Sequence, residues 1–150
     1  MNEENIKRAY LGAALAAAGI VSAIVIYTVV VELLRMKGYA GALKPPAAYA
    51  VKYALYVIGA SALVALKFAG AITARRRGTP EETLKALTTD AIIKAALCET
   101  PAIAGLVMFL LTGYRADFYL LVVFALGLEI YHFPRLNAWR ERLRGDFGQL

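Results

Sequence analysis

The chain has 150 residues, of which 60% are hydrophobic and 19% are charged, and its formal net charge is +6. This hydrophobic fraction exceeds that of ordinary soluble domains and indicates an integral membrane protein. One cysteine and one histidine exclude an internal disulfide, a cysteine-based zinc site and a bis-histidine haem within one chain. We therefore predict no bound metal and no cofactor.

Four long apolar stretches follow one another along the chain, over residues 10–34, 46–74, 86–112 and 118–133. A bilayer core of about 30 Å requires about 20 residues of helix, so the first three are long enough to span it. The fourth is close to the lower limit, but residues typical of membrane interfaces flank it. We predict an all-α integral membrane protein with four transmembrane helices in two antiparallel hairpins. It forms a single membrane domain with a basic tail over 134–150.

Lysine and arginine are divided unequally between the two ends of the predicted spans. Ten of them flank the spans at the end that carries the N-terminus, the connection 75–85 and the tail, and five flank the other end. Because short basic loops stay in the cytoplasm, both termini are predicted to be cytoplasmic. We further expect a prokaryotic inner membrane as the location of the protein. The same residues favour contact with anionic lipid over nucleic acid.

The connection before the third stretch carries a helix-start signal. Thr79 suits an N-cap, Pro80 suits the first helical position, and Glu82 completes a capping box. We therefore predict that the third helix begins near Pro80. Inside the membrane, three charged residues lie at similar predicted depths and are expected to form ion pairs: Lys67, Asp90 and Lys94.

Glu99 is the residue that apolar packing explains least. It lies within AALCETPAIAGLVMFLL, where a charged group costs at least about 2.5 kcal/mol at mid-bilayer. Pro101 removes the amide that would bond the carbonyl of Leu97, and thereby leaves that carbonyl beside the carboxyl group. We predict a site for a proton or a small cation at Glu99 and Pro101. Three hydroxyl side chains at similar predicted depths are expected to complete it: Tyr27, Tyr56 and Ser61.

Residues 75–112 resemble the polar loop and second helix of rotary ATP synthase subunit c. A basic, proline-containing turn, ARRRGTPEE, precedes a helix in which the family's alanine-leucine, glutamate and glycine-leucine-valine positions are Ala96, Leu97, Glu99, Gly105, Leu106 and Val107. The resemblance implies that Glu99 is the ion-binding carboxylate and that the turn faces the cytoplasm. The two further helices, the three intramembrane charges and a second span without a repeated glycine track depart from the family's pattern.

Other polar residues near the ends of the spans have simpler interpretations. Glu32 and Glu129 are expected to be solvated or paired carboxylates, His132 a hydrogen-bonded interfacial histidine, and Cys98 a small core residue. Basic and aromatic residues beyond the spans are expected among lipid headgroups: Arg75, Arg76, Arg77, Arg135, Trp139 and Arg140.

Two functions agree with these features. The protein is either a small membrane subunit whose Glu99 binds a proton or small cation, or a structural or assembly subunit in which Glu99 forms a helix-packing hydrogen bond. Its expected partners are the lipid bilayer and either further copies of itself or a larger membrane complex. We do not predict an enzyme, because the sequence has no nucleophile–base pair, phosphate-binding glycine loop or metal-ligand spacing.

Overall fold

The computed structural model is α-helical and contains no strand in the residues that it describes, 3–74 and 78–147, with side chains described for 3–70 and 78–145. Five helices follow one another: α1 (Glu3–Met36), α2 (Ala47–Ala74), α3 (Pro80–Thr112), α4 (Arg115–His132) and α5 (Leu136–Phe147). The all-α prediction is therefore confirmed. Each of the first four helices covers one predicted apolar stretch to within a few residues.

Several helices are long and apolar enough to cross a membrane. Within the described residues, α1, α2 as far as Gly70, and α3 each satisfy the length and hydropathy of a membrane span. A fourth span results if α4 and α5 are counted together across the bend of 43° between them. Taken alone, the 18 residues of α4 measure about 27 Å.

The boundaries of α3 follow from local sequence signals. The Thr79 side chain accepts a hydrogen bond from the Glu82 amide, and the Glu82 side chain accepts one from the Thr79 amide, so the predicted capping box is confirmed. At the other end, Gly113 has φ of +72° and donates its amide to the Phe109 carbonyl. A left-handed residue is inexpensive only for glycine, and therefore α3 stops there.

Helix α3 is the central helix of the bundle and packs against α1, α2 and α4. Ile6 and Ala13 of α1 pack near Leu84 and Leu87, whereas Ile24 and Val31 pack near Ala102 and Phe109, so α1 runs parallel to α3. Helices α2 and α4 run antiparallel to it. Gly105 permits close approach of α4, because a Cβ atom there would lie 3.1 Å from the Leu121 side chain.

The bundle has two ends of different character. The basic end carries the start of α1, the start of α3 and the whole of α5, and the loop end carries residues 37–46 and 113–114. At the loop end, Gly41 (φ +85°) lies against the backbone of Thr112 and Gly113, and the amides of Ala42 and Leu43 donate to the Leu111 carbonyl. This loop is therefore fixed to the end of α3.

At the basic end, α5 packs onto α1 and α3. The Trp139 ring is 6% exposed, lies edge-on to Tyr10 with centroids 6.0 Å apart, and packs with Leu84, Leu87 and Ile6. The expectation that Trp139 lies among lipid headgroups is therefore wrong, because the ring fills the interface between three helices instead.

Candidate functional site

Glu99 lies within the helix bundle and faces α1. It is 19 residues after Pro80 and 13 residues before Thr112, which places it far from both ends of a helix that rises 1.5 Å per residue. The Tyr27 hydroxyl of α1 donates a hydrogen bond of 2.6 Å to Glu99 Oε1. Tyr27, one of the residues predicted to lie near Glu99, therefore contacts it.

Glu129 of α4 is a second carboxyl group at the level of Glu99. It lies 14 residues after Arg115, so the two glutamates are each about 20 Å from the α3–α4 turn. Glu129 lies near the end of α4, as the sequence interpretation expected, but it reaches the level of Glu99 because α4 has 18 residues and α3 has 33. Glu129 is 2% exposed and interacts electrostatically with Glu99. Its Oε2 atom is buried and has no hydrogen-bond partner in the described part of the chain.

Cys98 and His132 lie on the basic-end side of Glu129. The Cys98 thiol is fully buried and adjacent to the Glu129 carboxyl group. Its sulfur lies 4.0 Å from His132 Nδ1, which is itself 3.0 Å from the Leu128 carbonyl oxygen. The thiol therefore belongs to a polar group of side chains rather than to a purely apolar core.

A cavity of about 400 Å³ opens at the bend between α4 and α5. Its polar lining includes Asp90 and Lys94 from α3, Tyr131 and His132 at the end of α4, and Arg135. The ion pair between Lys94 Nζ and Asp90 Oδ2 measures 2.7 Å. The cavity therefore brings charged groups to within one side-chain layer of Cys98.

The intramembrane pairing differs from the one that depth alone suggested for Lys67. Asp90 pairs with Lys94, whose ammonium group lies against Gly70 of α2, while the Lys67 side chain is exposed on α2. The depths also differ from the predicted ones: Leu66 packs with Cys98, so Lys67 lies about 10 Å farther from the basic end than Asp90 does.

Two of the predicted ligands of Glu99 lie elsewhere. The Tyr56 hydroxyl donates a hydrogen bond of 2.6 Å to Asp117, and Asp117 also forms an ion pair of 2.8 Å with Lys52. The Ser61 hydroxyl is exposed and donates to the Ile58 carbonyl of its own helix. Neither is part of the Glu99 group: Tyr56 lies toward the loop end, level with Met108 and Asp117, and Ser61 is on an exposed face of α2.

Pro101 lies within α3, one helical turn from the carbonyl of Leu97 that it leaves without an amide donor. Its side chain is fully buried, and a Cβ atom at Gly59 of α2 would lie 3.6 Å from Pro101 Cα. Pro101 therefore combines close packing against α2 with a polar carbonyl near Glu99.

A second polar group at the loop end was not predicted from the sequence. Glu32 forms ion pairs with Arg35 (2.9 Å) and Arg115 (3.2 Å), and it accepts a hydrogen bond from the Tyr119 hydroxyl. Together with Lys52, Tyr56 and Asp117, these residues join α1, α2 and α4 (the loop-end clamp). The clamp could have been predicted from the sequence, because its acidic and basic residues lie at matching distances from the two loops.

The predicted headgroup residues have different surroundings. Arg135 is exposed beside the cavity, and Arg140 forms an ion pair of 2.5 Å with Glu3 of α1. Arg75, Arg76 and Arg77 lie outside the described residues.

The described residues contain no cluster of three or more His, Cys, Asp or Glu side chains able to hold a metal ion. No family model, curated protein or solved structure matches the chain.

Proposed function

We propose that the protein is a small integral membrane subunit in which Glu99 binds and exchanges a proton. The observation that carries the proposal is the contact of Glu99 with the Tyr27 hydroxyl inside the bundle, beside a second, partly unpartnered carboxyl group at Glu129. An ionised carboxyl group is costly in apolar surroundings and a protonated one is not. A proton is therefore the natural ligand of these oxygen atoms.

A proton is favoured over a metal cation by the number of donors. Sodium and other hard cations prefer several oxygen ligands, whereas Tyr27 is the side chain that donates to Glu99, and Tyr56 and Ser61 bond elsewhere. A sodium ion would have to use Glu99, Glu129 and the carbonyl of Leu97. The proposed site can hold a proton without any further ligand.

The alternative function is a structural or assembly subunit with Glu99 as a packing hydrogen bond. That role accounts for the Tyr27 contact, because polar side chains join helices in membranes. It does not account for the buried Glu129 Oε2, since a buried acceptor without a partner costs stability and contributes nothing to packing. The carboxyl groups therefore favour the proton-binding function.

The proposed topology has four spans with both termini in the cytoplasm of a prokaryotic cell. Helix α4 forms the fourth span, and the basic end faces the cytoplasm as short basic loops do. The proposal keeps the likeness of residues 75–112 to subunit c, with Glu99 as the shared carboxyl group. Exposed apolar side chains on α1 and α2, such as Leu15 and Val57, face lipid, a second copy or a larger membrane complex.

Carbodiimide modification in lipid bilayers tests this function, because the reagent attacks protonated carboxyl groups in apolar surroundings. We expect Glu99 to react in a reversible pH-dependent manner, to be protected as the pH rises, and to gain no further protection from sodium. Glu99→Gln abolishes labelling at this position, and Glu81→Gln, at an exposed position on α3, is the matched control. Lack of reaction at every pH in folded protein would replace proton exchange with the structural role.

A further inference from the structure

We propose that Glu99 and Glu129 form one proton-binding pair, and that this pair exchanges its proton with the basic end through the cavity beside His132. The inference rests on the proposed function of Glu99 and deepens it. It assigns a second binding residue, on α4, and a side of the membrane from which the proton arrives.

The pair follows from the packing of α3 against α4. The two glutamates lie at the same level of antiparallel helices that Gly105 allows to approach closely, and their carboxyl groups interact electrostatically. Glu129 is almost fully buried and its Oε2 atom has an unused lone pair. Ionising two neighbouring carboxyl groups in such surroundings carries an added cost, and one proton shared between them removes it.

Among the described residues, no lysine or arginine forms an ion pair with either carboxyl group of the pair. In the described part of the chain, α1 contributes the Tyr27 hydroxyl, α3 the Cys98 thiol, and α4 the His132 ring. Helix α2 contributes apolar Leu66 at this level. The nearest cation on α3 is Lys94, one turn from Cys98, and its ammonium group is already bound to Asp90.

The route follows from the position of the cavity. It is lined by His132, Lys94 and Asp90, and His132 Nδ1 lies 4.0 Å from the sulfur of Cys98, which adjoins the Glu129 carboxyl group. A single layer formed by His132 and Cys98 thus separates the cavity from the pair. At the loop end, the buried side chains of Phe109, Phe118 and Met108 fill the interior of the bundle. The step moves one proton between a carboxyl oxygen and water in the cavity, and no other bond changes.

Carbon-13 NMR of labelled glutamate carboxyl groups in lipid nanodiscs tests the pair. In the unchanged protein we expect Glu99 and Glu129 to titrate together in two steps. In Glu129→Gln, Glu99 should titrate in one step, and its proton affinity should fall about tenfold because the neighbouring negative charge has gone. Glu81→Gln should leave both titrations unchanged.

A substitution that fills the cavity tests the route. Ala138 is exposed and lines the cavity, and Ala138→Trp should slow proton exchange at Glu99 about tenfold with unchanged titration midpoints. Asn137→Trp, at the neighbouring exposed position outside the lining, is the control and should leave the exchange rate unchanged.

Each part of the proposal has a result that overturns it. Independent one-step titrations of the two glutamates in the unchanged protein would remove the pair, and this result does not depend on whether Glu129→Gln folds. An unchanged exchange rate in Ala138→Trp would remove the route. If Glu99 keeps one protonation state at every pH, the proposed function itself fails, whereas a single titrating Glu99 beside an inert Glu129 refutes only the inference.

Discussion

The loop-end clamp and the carboxyl pair at mid-bundle use the same residue types with opposite results. In the clamp, Asp117 has both an ion-pair partner and a hydroxyl donor, and Glu32 has two arginines and a tyrosine. At mid-bundle, Glu99 accepts from one tyrosine, and one buried oxygen of Glu129 has no partner among the residues that the structure describes. Complete pairing fixes helices relative to one another, whereas incomplete pairing leaves atoms available for a ligand.

The positions within the molecule explain the difference. The clamp lies beside the two loops, where water and several cations are within reach of each carboxylate. The pair lies about 20 Å from the α3–α4 turn, where apolar side chains surround it. Carboxyl groups are therefore structural in the clamp and candidate proton carriers at mid-bundle.

The largest predicted loss of stability comes from a substitution in the loop-end backbone, at Gly41. Gly41→Ala requires a Cβ atom 2.4 Å from the Thr112 carbonyl carbon at a φ of +85°, so the unfolding free energy in detergent micelles should fall by about 3 kcal/mol. Gly38→Ala, at a φ of +77° but with no atom within 4 Å, should cost only about 1 kcal/mol. Equal losses would mean that backbone angle alone matters at this end.

Breaking the clamp should have the next largest effect. Asp117→Asn leaves Lys52 without its counter-charge at a position where both side chains are mostly buried, and the unfolding free energy should fall by about 2 kcal/mol. The double variant with Lys52→Met should recover part of the loss. If Asp117→Asn proves as stable as the unchanged protein, the clamp does not hold the helices together.

The pair between Asp90 and Lys94 should give a smaller coupling. A double-mutant cycle with Asp90→Asn and Lys94→Met is expected to yield about 0.5–1 kcal/mol, because the two side chains are four residues apart and largely buried. Glu4 and Arg8 have the same spacing and order but are exposed, so their cycle should give a smaller value. A larger coupling energy between Glu4 and Arg8 than between Asp90 and Lys94 would contradict the prediction that burial strengthens the pair.

The smallest change in stability should come from the mid-bundle pair, and this sharpens the contrast with the clamp. Glu129→Gln replaces a buried, partly unpartnered carboxyl group with a neutral group of similar shape, so the unfolding free energy should stay within about 0.5 kcal/mol or rise. A loss comparable to that of Asp117→Asn would show that Glu129 stabilises the fold through pairing.

The sequence predicted the helices well because their signals are local. Apolar length identified α1 to α4, and the Thr79 capping box located the start of α3. The contact of Glu99 with Tyr27 was also predictable, since depth along two helices placed both residues at one level.

The rest of the site depends on helix rotation and packing, which depth does not determine. Ser61 faces elsewhere on α2, and Tyr56 lies closer to the loop end, level with Met108 and Asp117. Glu129 was missed because its distance was counted from the end of α4 rather than from the turn that it shares with α3. Counting outward from Gly113 in both directions would have placed Glu99 and Glu129 together.

The most direct test of the central claim is an infrared pH titration of the protonated carboxyl band in protein reconstituted in lipid. The account predicts a band that disappears reversibly as the pH rises, that loses the Glu99 contribution in Glu99→Gln, and that is unchanged in Glu81→Gln. A band from Glu99 that stays constant over the whole pH range in folded protein would contradict proton exchange and leave Glu99 as a packing residue.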